Sequence, residues 1–142
     1  MVERGLQTTF TDRLEKMARD CGREAEVRLR DVICQAITNQ DPLIPYWLVG
    51  YRCSVEVEER RGIDSLLVTK EGIEIPFQIK SSHRGLREHI TKRPWITCIV
   101  VNKWITDERI LRLCVEQAEI KRSKVLQRWR KFQRDRRHSK TS

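Results

Sequence analysis

Apolar side chains in the first quarter of the chain recur at steps of three and four residues, which is the repeat of one helix face. The pattern follows Thr9-x-x-Asp12, a helix-capping sequence, and stops near Asn39. It predicts a long amphipathic helix. Gly22 marks a point where this helix could break, because a glycine inside a helix costs about 1 kcal/mol relative to alanine.

Residues 49–57 and 73–80 alternate apolar and polar side chains, which is the two-residue repeat of a strand, and a short apolar run lies between them. Residues 49–57 predict a first strand, and the exposed end of its hairpin holds the charged residues Glu56, Glu58, Glu59, Arg60 and Arg61. A second strand follows Asp64. The sequence Lys70-Glu71-Gly72 then predicts a three-residue turn in which Gly72 takes a left-handed conformation.

The third predicted strand has two unlike faces, since successive side chains of a strand point to opposite sides. Ile73, Ile75, Phe77 and Ile79 form an apolar face, and Glu74, Gln78 and Lys80 form a polar one. Pro76 lies inside this strand, where its missing N–H would break a ladder bond. A β-bulge between Ile75 and Phe77 would accommodate it.

The last third of the sequence predicts a crossover and a final helix. About a dozen residues after Lys80, basic around the apolar pair Leu86 and Ile90, match a short helix leading to a parallel strand at 95–101. Thr106 predicts the N-cap of a helix that continues into the C-terminal tail. The predicted order is helix, strand, two hairpin strands, crossover helix, strand and helix, so an α/β fold is expected.

Charge divides the chain into two parts. Residues 121–142 hold ten Lys or Arg residues against the single acid Asp135, a net charge of +9 that equals the excess of the whole chain. We therefore expect a folded domain at 1–120 and a basic C-terminal helix or tail at 121–142. Arg128, Arg130 and Lys131 alternate with aromatic side chains there, a composition suited to nucleic acid, although a solvated tail has the same charge.

Other features of the composition bear on where the protein works. There is no apolar run near 18 residues and no charged-then-apolar leader, so we expect a soluble, cytoplasmic protein without a membrane span. The five cysteines are scattered and odd in number, without the paired spacing of a zinc site, so buried reduced thiols are expected. They are Cys21, Cys34, Cys53, Cys98 and Cys114.

The turn at Gly72 brings Asp64 near Gln78 and Lys80, which follow it by fourteen and sixteen residues. This arrangement resembles the PD-(D/E)xK nuclease superfamily, in which an acid on one strand is followed across a hairpin by an acid, any residue and a lysine. Gly22-Arg23-Glu24-Ala25-Glu26 resembles the first helix of archaeal-type Holliday junction resolvases, which carries an acid at the position of Glu26. Two residues depart from the superfamily pattern: Ile63 replaces a proline, and Gln78 replaces the second acid.

The resemblance, which spans residues 22–102, implies a restriction-endonuclease-like αβββαβ core with a mixed sheet flanked by helices. It implies a metal-dependent endonuclease that hydrolyses phosphodiester bonds in nucleic acid, with DNA the expected substrate. Asp64, Glu26, the Gln78 side-chain oxygen and the Ile79 carbonyl would hold Mg²⁺ or Mn²⁺ through oxygen ligands. Lys80 would orient the attacking water or neutralise the developing negative charge, and Ser81, Arg84 and Arg87 would position phosphate.

Gln78 keeps other functions open, because its neutral oxygen is a weaker metal ligand than a carboxylate. One alternative is a nuclease-like fold that binds nucleic acid without cleaving it, and another is a basic adaptor protein without chemistry. Glu26 could equally be a surface residue paired with Arg30 along the helix. The form of the substrate, whether duplex, junction, flap or RNA, and the question of a homodimer also stay open.

Overall fold

The computed structural model of the protein describes residues 10–84, 87, 92 and 95–140, with side chains from Arg23 to Ser139 within these ranges. The first helix is continuous through Gly22, so the break considered there does not occur; Thr9 lies outside the described residues. The elements are α1 (Phe10–Thr38), β1 (Leu48–Cys53), α2 (Glu56–Arg60), β2 (Ser65–Thr69), β3 (Glu74–Lys80), β4 (Thr97–Val100) and α3 (Asp107–Lys140).

The four described strands form one mixed sheet in the order β1-β2-β3-β4. β1 and β3 each run antiparallel to β2, and β4 runs parallel to β3, as expected from the crossover. The turn between β2 and β3 is the predicted one: Gly72 has a φ of 83°, and its N–H donates to the Thr69 carbonyl at 3.0 Å. The fold is therefore α/β with β3 paired on both sides.

The predicted apolar face of β3 is confirmed. Ile75 and Phe77 are each only 1% exposed, and they pack in one core with α1 and α3. α1 contributes Ala25, Leu29, Ile33 and Ala36 to this core, and α3 contributes Ile110, Leu111, Cys114 and Ala118. Both long helices thus cover the same face of the sheet, and the alternation of β3 directs Gln78 and Lys80 to the other face.

Pro76 is accommodated without the bulge we expected between Ile75 and Phe77. Pro76 pairs with Leu66 in an unbroken register, and the irregularity of the sheet lies in β1 instead. The Lys80 carbonyl accepts the Val101 N–H at 2.8 Å, so even-numbered β3 residues direct their backbone groups toward β4. Pairing with β4 begins at Phe77, so the missing N–H of Pro76 falls beyond the start of that strand.

The predicted first strand is too long, because its charged end forms a helix. β1 ends at Cys53, and residues 56–60 make the short helix α2. The Glu58 carboxylate accepts the Val55 N–H at 2.9 Å, which satisfies a backbone donor at the helix start. Arg52 donates to Glu58 at 2.7 and 2.8 Å and also to Glu74, so α2 is tied to β1 and β3.

The C-terminal helix begins where Thr106 predicts. The Thr106 hydroxyl accepts the Arg109 N–H at 3.1 Å. α3 then continues without a break across residue 120, where we placed a domain boundary, and that boundary stays a prediction. Val125 and Leu126 still pack on the core, whereas side chains 127–139 are all exposed.

Part of the predicted crossover helix lies within the described residues. His83, Arg84, Arg87 and Lys92 are helical, and the apolar pair Leu86 and Ile90 lies outside the described residues. β4 is shorter than the predicted strand, since Trp95 is exposed ahead of Thr97. None of the helices in the described part of the chain is long and apolar enough to cross a membrane.

The expectation of buried cysteines is wrong for most of those whose side chains are described. Cys114 is buried, but Cys98 is half-buried and both Cys34 and Cys53 are exposed; all four are free thiols. Cys21 lies outside the described side chains. Burial raises the pKa of Cys114 to about 12, so this thiol stays protonated at neutral pH.

Replacing Glu58 by Gln should lower the free energy of unfolding at neutral pH. It should also make that free energy fall less steeply as the pH is lowered. Hydrogen bonds from Arg52, then from the Val55 N–H, lower the pKa of Glu58 from its ordinary 4.5 to about 2. A lowered pKa means that folding favours the ionised acid, so this stability is present above about pH 4.5 and is lost as the pH falls toward about 2. Denaturant unfolding at several pH values in this window measures it.

The matched control is Glu56→Gln, which removes an acid from the same short helix. Glu56 pairs with Arg60 at 2.5 Å, but both side chains are about three-quarters exposed, at 77% and 74%. Exposed pairs contribute little to stability, so this variant should follow the wild-type profile. If Glu58→Gln loses stability with falling pH in the same way as the wild type, the stabilising role assigned to ionised Glu58 is contradicted.

Candidate functional site

Asp64 lies beside β3, just before β2 begins. Its N–H donates to the Phe77 carbonyl at 2.9 Å, and its Oδ2 accepts the Ile79 N–H at 2.7 Å. The Ser54 hydroxyl donates to the Asp64 carbonyl at 3.0 Å. These bonds fix both the backbone and the carboxylate of Asp64 against the last residues of β3.

Gln78 and Lys80 occupy the same end of β3 on the face away from α1 and α3. Gln78 is buried at 8% exposure, and Lys80 is partly exposed. Cys98, the β4 partner of Gln78, has a pKa raised to about 11, chiefly by burial; Lys80 lowers this pKa and Asp64 raises it. The charges of Asp64 and Lys80 therefore both act on the Cys98 thiol, which lies beside Gln78.

The backbone at Ile79 points to the same edge of the strand. Ile79 donates its N–H to the Asp64 carboxylate. In an extended strand, the N–H and C=O of one residue point to the same side. The Ile79 carbonyl is therefore directed toward the Asp64 edge of β3, as the predicted ligand set requires.

Glu26 reaches this region from α1. It lines a cleft of about 200 Å³ with Asp64, between the helix and the ends of β1 and β2. Desolvation by its surroundings raises the pKa of Glu26, the charge of Asp64 raises it further, and Lys80 lowers it. Arg30, the alternative partner considered for Glu26, donates to Asp31 at 3.3 Å. The charges of Asp64 and Lys80 thus both act on Glu26.

Glu59 is a residue of this cleft that the sequence did not single out. It lies on α2, lines the same cleft as Glu26 and Asp64, and is a further cause of the raised pKa of Glu26. Its position depends on α2, which was predicted as the end of a strand. Only a prediction of a helix at residues 56–60 could have indicated from the sequence that Glu59 lies in this cleft.

The donor chemistry of the site fits a hard cation, although the site is sparse in acids. Carboxylate, amide and carbonyl oxygens are the ligands that Mg²⁺ and Mn²⁺ take in proteins, and the mutual repulsion of Glu26 and Asp64 is what a cation would relieve. Across the described residues, no group of three or more His, Cys, Asp or Glu side chains is arranged to hold a metal. Gln78, in place of an acid, is consistent with that sparseness.

The predicted phosphate-contacting residues divide into two groups. Ser81, Arg84 and Arg87 follow β3 in the chain, and all three are exposed. The second group, Arg128, Arg130 and Lys131, lies on the C-terminal tail, away from Lys80. Arg122 on α3 bonds to Glu71 in the β2–β3 turn, which is the opposite end of the hairpin from Asp64.

The basic tail therefore extends away from the acidic cleft. α3 starts near the Lys80 end, because Val101 bonds to Lys80 shortly before the helix begins. From Asp107 to Arg122 it spans roughly 22 Å at 1.5 Å per residue. Arg128, Arg130 and Lys131 are exposed beyond that point, so the structure does not bring them to the candidate site.

Comparisons with protein-family models, with curated proteins and with solved structures find no match to this chain.

Replacing Asp64 by Ala should destabilise the protein more than replacing it by Asn. The alanine variant leaves the Ile79 N–H without its carboxylate acceptor, and loss of a partner for a largely enclosed donor costs about 1–3 kcal/mol of unfolding free energy. Asparagine keeps an oxygen in place and removes the charge. Denaturant unfolding of both variants tests this, and equal stabilities would show that the bond contributes nothing.

Proposed function

We propose that the protein is a metal-dependent endonuclease that hydrolyses phosphodiester bonds in DNA. The proposal rests on the candidate site at the end of the β2–β3 hairpin. Its core would be the restriction-endonuclease-like αβββαβ arrangement that the sequence resembles, and the observed mixed sheet with two long helices on one face is compatible with that arrangement.

One observation carries the proposal. Asp64 is bonded through both its backbone N–H and its carboxylate to β3, next to the segment that carries Gln78 and Lys80. An acid held in this way at the end of the strand that carries Lys80, with a second acid of raised pKa across a cleft, is an arrangement that marks a candidate functional site.

The chain's own residues would divide the work as follows. Asp64 is held in one orientation by the Ile79 N–H, so it needs no reorganisation when substrate arrives. Lys80 carries a positive charge that would stabilise the negative charge developing on the phosphate in the transition state. Ser81 and Arg84 would position the neighbouring phosphates. When bound by Asp64, Glu26, Gln78 and the Ile79 carbonyl, Mg²⁺ or Mn²⁺ supplies Lewis-acid polarisation and a lowered water pKa.

A second function, nucleic-acid binding without cleavage, is favoured by Gln78. A neutral amide oxygen binds a divalent cation less strongly than a carboxylate, and the described residues include no cluster of three acids or imidazoles suited to a metal. The exposed basic part of α3 would serve a binding protein as well as an enzyme. The two functions differ in one measurable respect, metal-dependent strand cleavage.

Replacing Lys80 by Ala should reduce cleavage in Mg²⁺ or Mn²⁺ by about 10²–10³, the usual effect of losing one group that stabilises transition-state charge. Asp64→Asn should abolish cleavage, and it retains the fold better than alanine. Gln78→Glu should lower the metal concentration needed for activity, because it adds a charged ligand. Cleavage of branched, duplex and single-stranded DNA, with EDTA as the blank, provides the measurement.

The matched control is Lys70→Ala, since Lys70 is an exposed lysine at the opposite end of the same hairpin. It should cleave at the wild-type rate. Undiminished cleavage by Lys80→Ala and Asp64→Asn would remove this site from the reaction. A wild-type protein that binds DNA but is inert in both metals would leave the binding function instead.

Truncation after Leu126 should weaken DNA binding and flatten its salt dependence. For duplex DNA, removing one protein–phosphate interaction lowers the slope of log affinity against log salt by about 0.9. The cut falls after Leu126 because Arg122, Val125 and Leu126 belong to the folded body. Binding titrations from low to high salt measure the slope, and an unchanged slope would mean that the tail does not bind phosphate.

A further inference from the structure

The loop between β4 and α3, residues 102–106, lies beside the backbone of Lys80, the candidate catalytic lysine. The Val101 N–H donates to the Lys80 carbonyl at 2.8 Å, which brings the start of this loop against the end of β3. Trp104 in the loop is 78% exposed. Lys103 places its Nζ 4.6 Å from the centre of the Trp104 ring. A large aromatic surface is therefore open to solvent next to the site.

The loop is held in one conformation by bonds from two sides. Asn102 accepts the N–H groups of Trp104 and Ile105 on its Oδ1, at 3.0 and 3.1 Å. Arg28 on α1 donates to the Asn102 carbonyl at 2.8 Å and to the Ile105 carbonyl. Arg28 also bonds to Asp107 at 2.9 Å. A preorganised loop loses little conformational entropy when a ligand binds to it.

A pocket of about 490 Å³ separates this loop from α1 and from the end of β3. Its volume lies in the range of roughly 300–1,000 Å³ that is usual for small-ligand sites. Trp104, Ala25 and Val101 are the apolar residues of its lining. Ser81, Lys103 and Glu24 add polar groups, while the guanidinium of Arg28 is already engaged by the loop.

We propose that this pocket binds one unpaired nucleobase of the DNA strand whose phosphate occupies the Lys80 site. The proposal rests on the proposed function and specifies the substrate as a strand with an unpaired base next to the scissile phosphate. The Trp104 ring stacks on the base, since every base has a π-face for an aromatic side chain. Lys103 and Ser81 contact the phosphate of that nucleotide.

Glu24 sets the orientation of the nucleotide. Its carboxylate repels phosphate and accepts hydrogen bonds from base amino groups, as acidic side chains do with cytosine. The base therefore points toward α1 and its phosphate toward the end of β3, where the DNA strand passes over the edge of the sheet to the face that carries the Lys80 side chain. Bases in an intact duplex are stacked on one another and cannot enter, so single-stranded, frayed or branched DNA is preferred over continuous duplex.

The test compares Trp104→Ala and Trp104→Phe with Trp95→Ala. Trp95 is the matched control, since it is a similarly exposed tryptophan, at 66%, at the other end of β4. Binding of a labelled single-stranded oligodeoxynucleotide is measured by fluorescence anisotropy in EDTA, which prevents cleavage. Trp104→Ala should bind about 5- to 150-fold more weakly, the usual effect of removing one base–aromatic stack. Trp104→Phe should restore most of the affinity, and Trp95→Ala should match the wild type.

A single abasic site, moved along the oligonucleotide, shows whether a base enters the pocket. An abasic site at one particular position should weaken binding by the wild-type protein and leave binding by Trp104→Ala unchanged. Equal affinities of Trp104→Ala and wild type, or weaker binding by Trp104→Ala without any sensitive abasic position, would overturn the proposal. If wild type still cleaves DNA in either case, the proposed function stands; a wild type that neither binds nor cleaves refutes both.

Discussion

The structure depends on the two-sided pairing of β3 and the burial of one of its faces. Ile75 and Phe77 are enclosed by α1 and α3, and β2 and β4 take the backbone groups on either edge. Because side chains alternate along a strand, this burial leaves no choice for Gln78 and Lys80, which must lie on the other face. A slip of one residue would bury a lysine in the apolar core, so the register is strongly specified.

The same constraint positions the groups around the candidate site. Asp64 is fixed by β3 itself, through the Phe77 carbonyl and the Ile79 N–H. Glu26 comes from a helix whose buried stripe packs on the opposite face, and it reaches the site only at the end of the sheet, where helix and strands converge. Arg28, two residues further along α1, anchors the loop that carries Trp104. One helix therefore supports both the acidic cleft and the neighbouring pocket.

The separation of the two charged regions bears on the proposed binding of nucleic acid. The acids lie at the open end of the hairpin, and the basic part of α3 projects past its turn, where Arg122 bonds to Glu71. The basic tail is thus kept apart from the acidic cleft along the sheet. A nucleic acid in contact with both would have to extend along the molecule, whereas a short one would be held by the residues around Lys80 alone.

The sequence determined the elements whose patterns are local. The repeat of α1, the turn at Gly72, the parallel crossover and the cap at Thr106 all follow from side-chain periodicity and turn chemistry, which act between near neighbours. The tertiary structure decided the rest. α2 replaced a strand end because Glu58 meets Arg52 and the Val55 N–H, side-chain bonds that strand periodicity does not register. Pro76 needs no bulge because β4 starts beyond it, and the loop that carries Trp104 is held by Arg28 from the distant helix α1. The pairing of β3 with β4 and the bonds from Arg28 are invisible to periodicity, since they depend on which ends of the sheet the chain brings together.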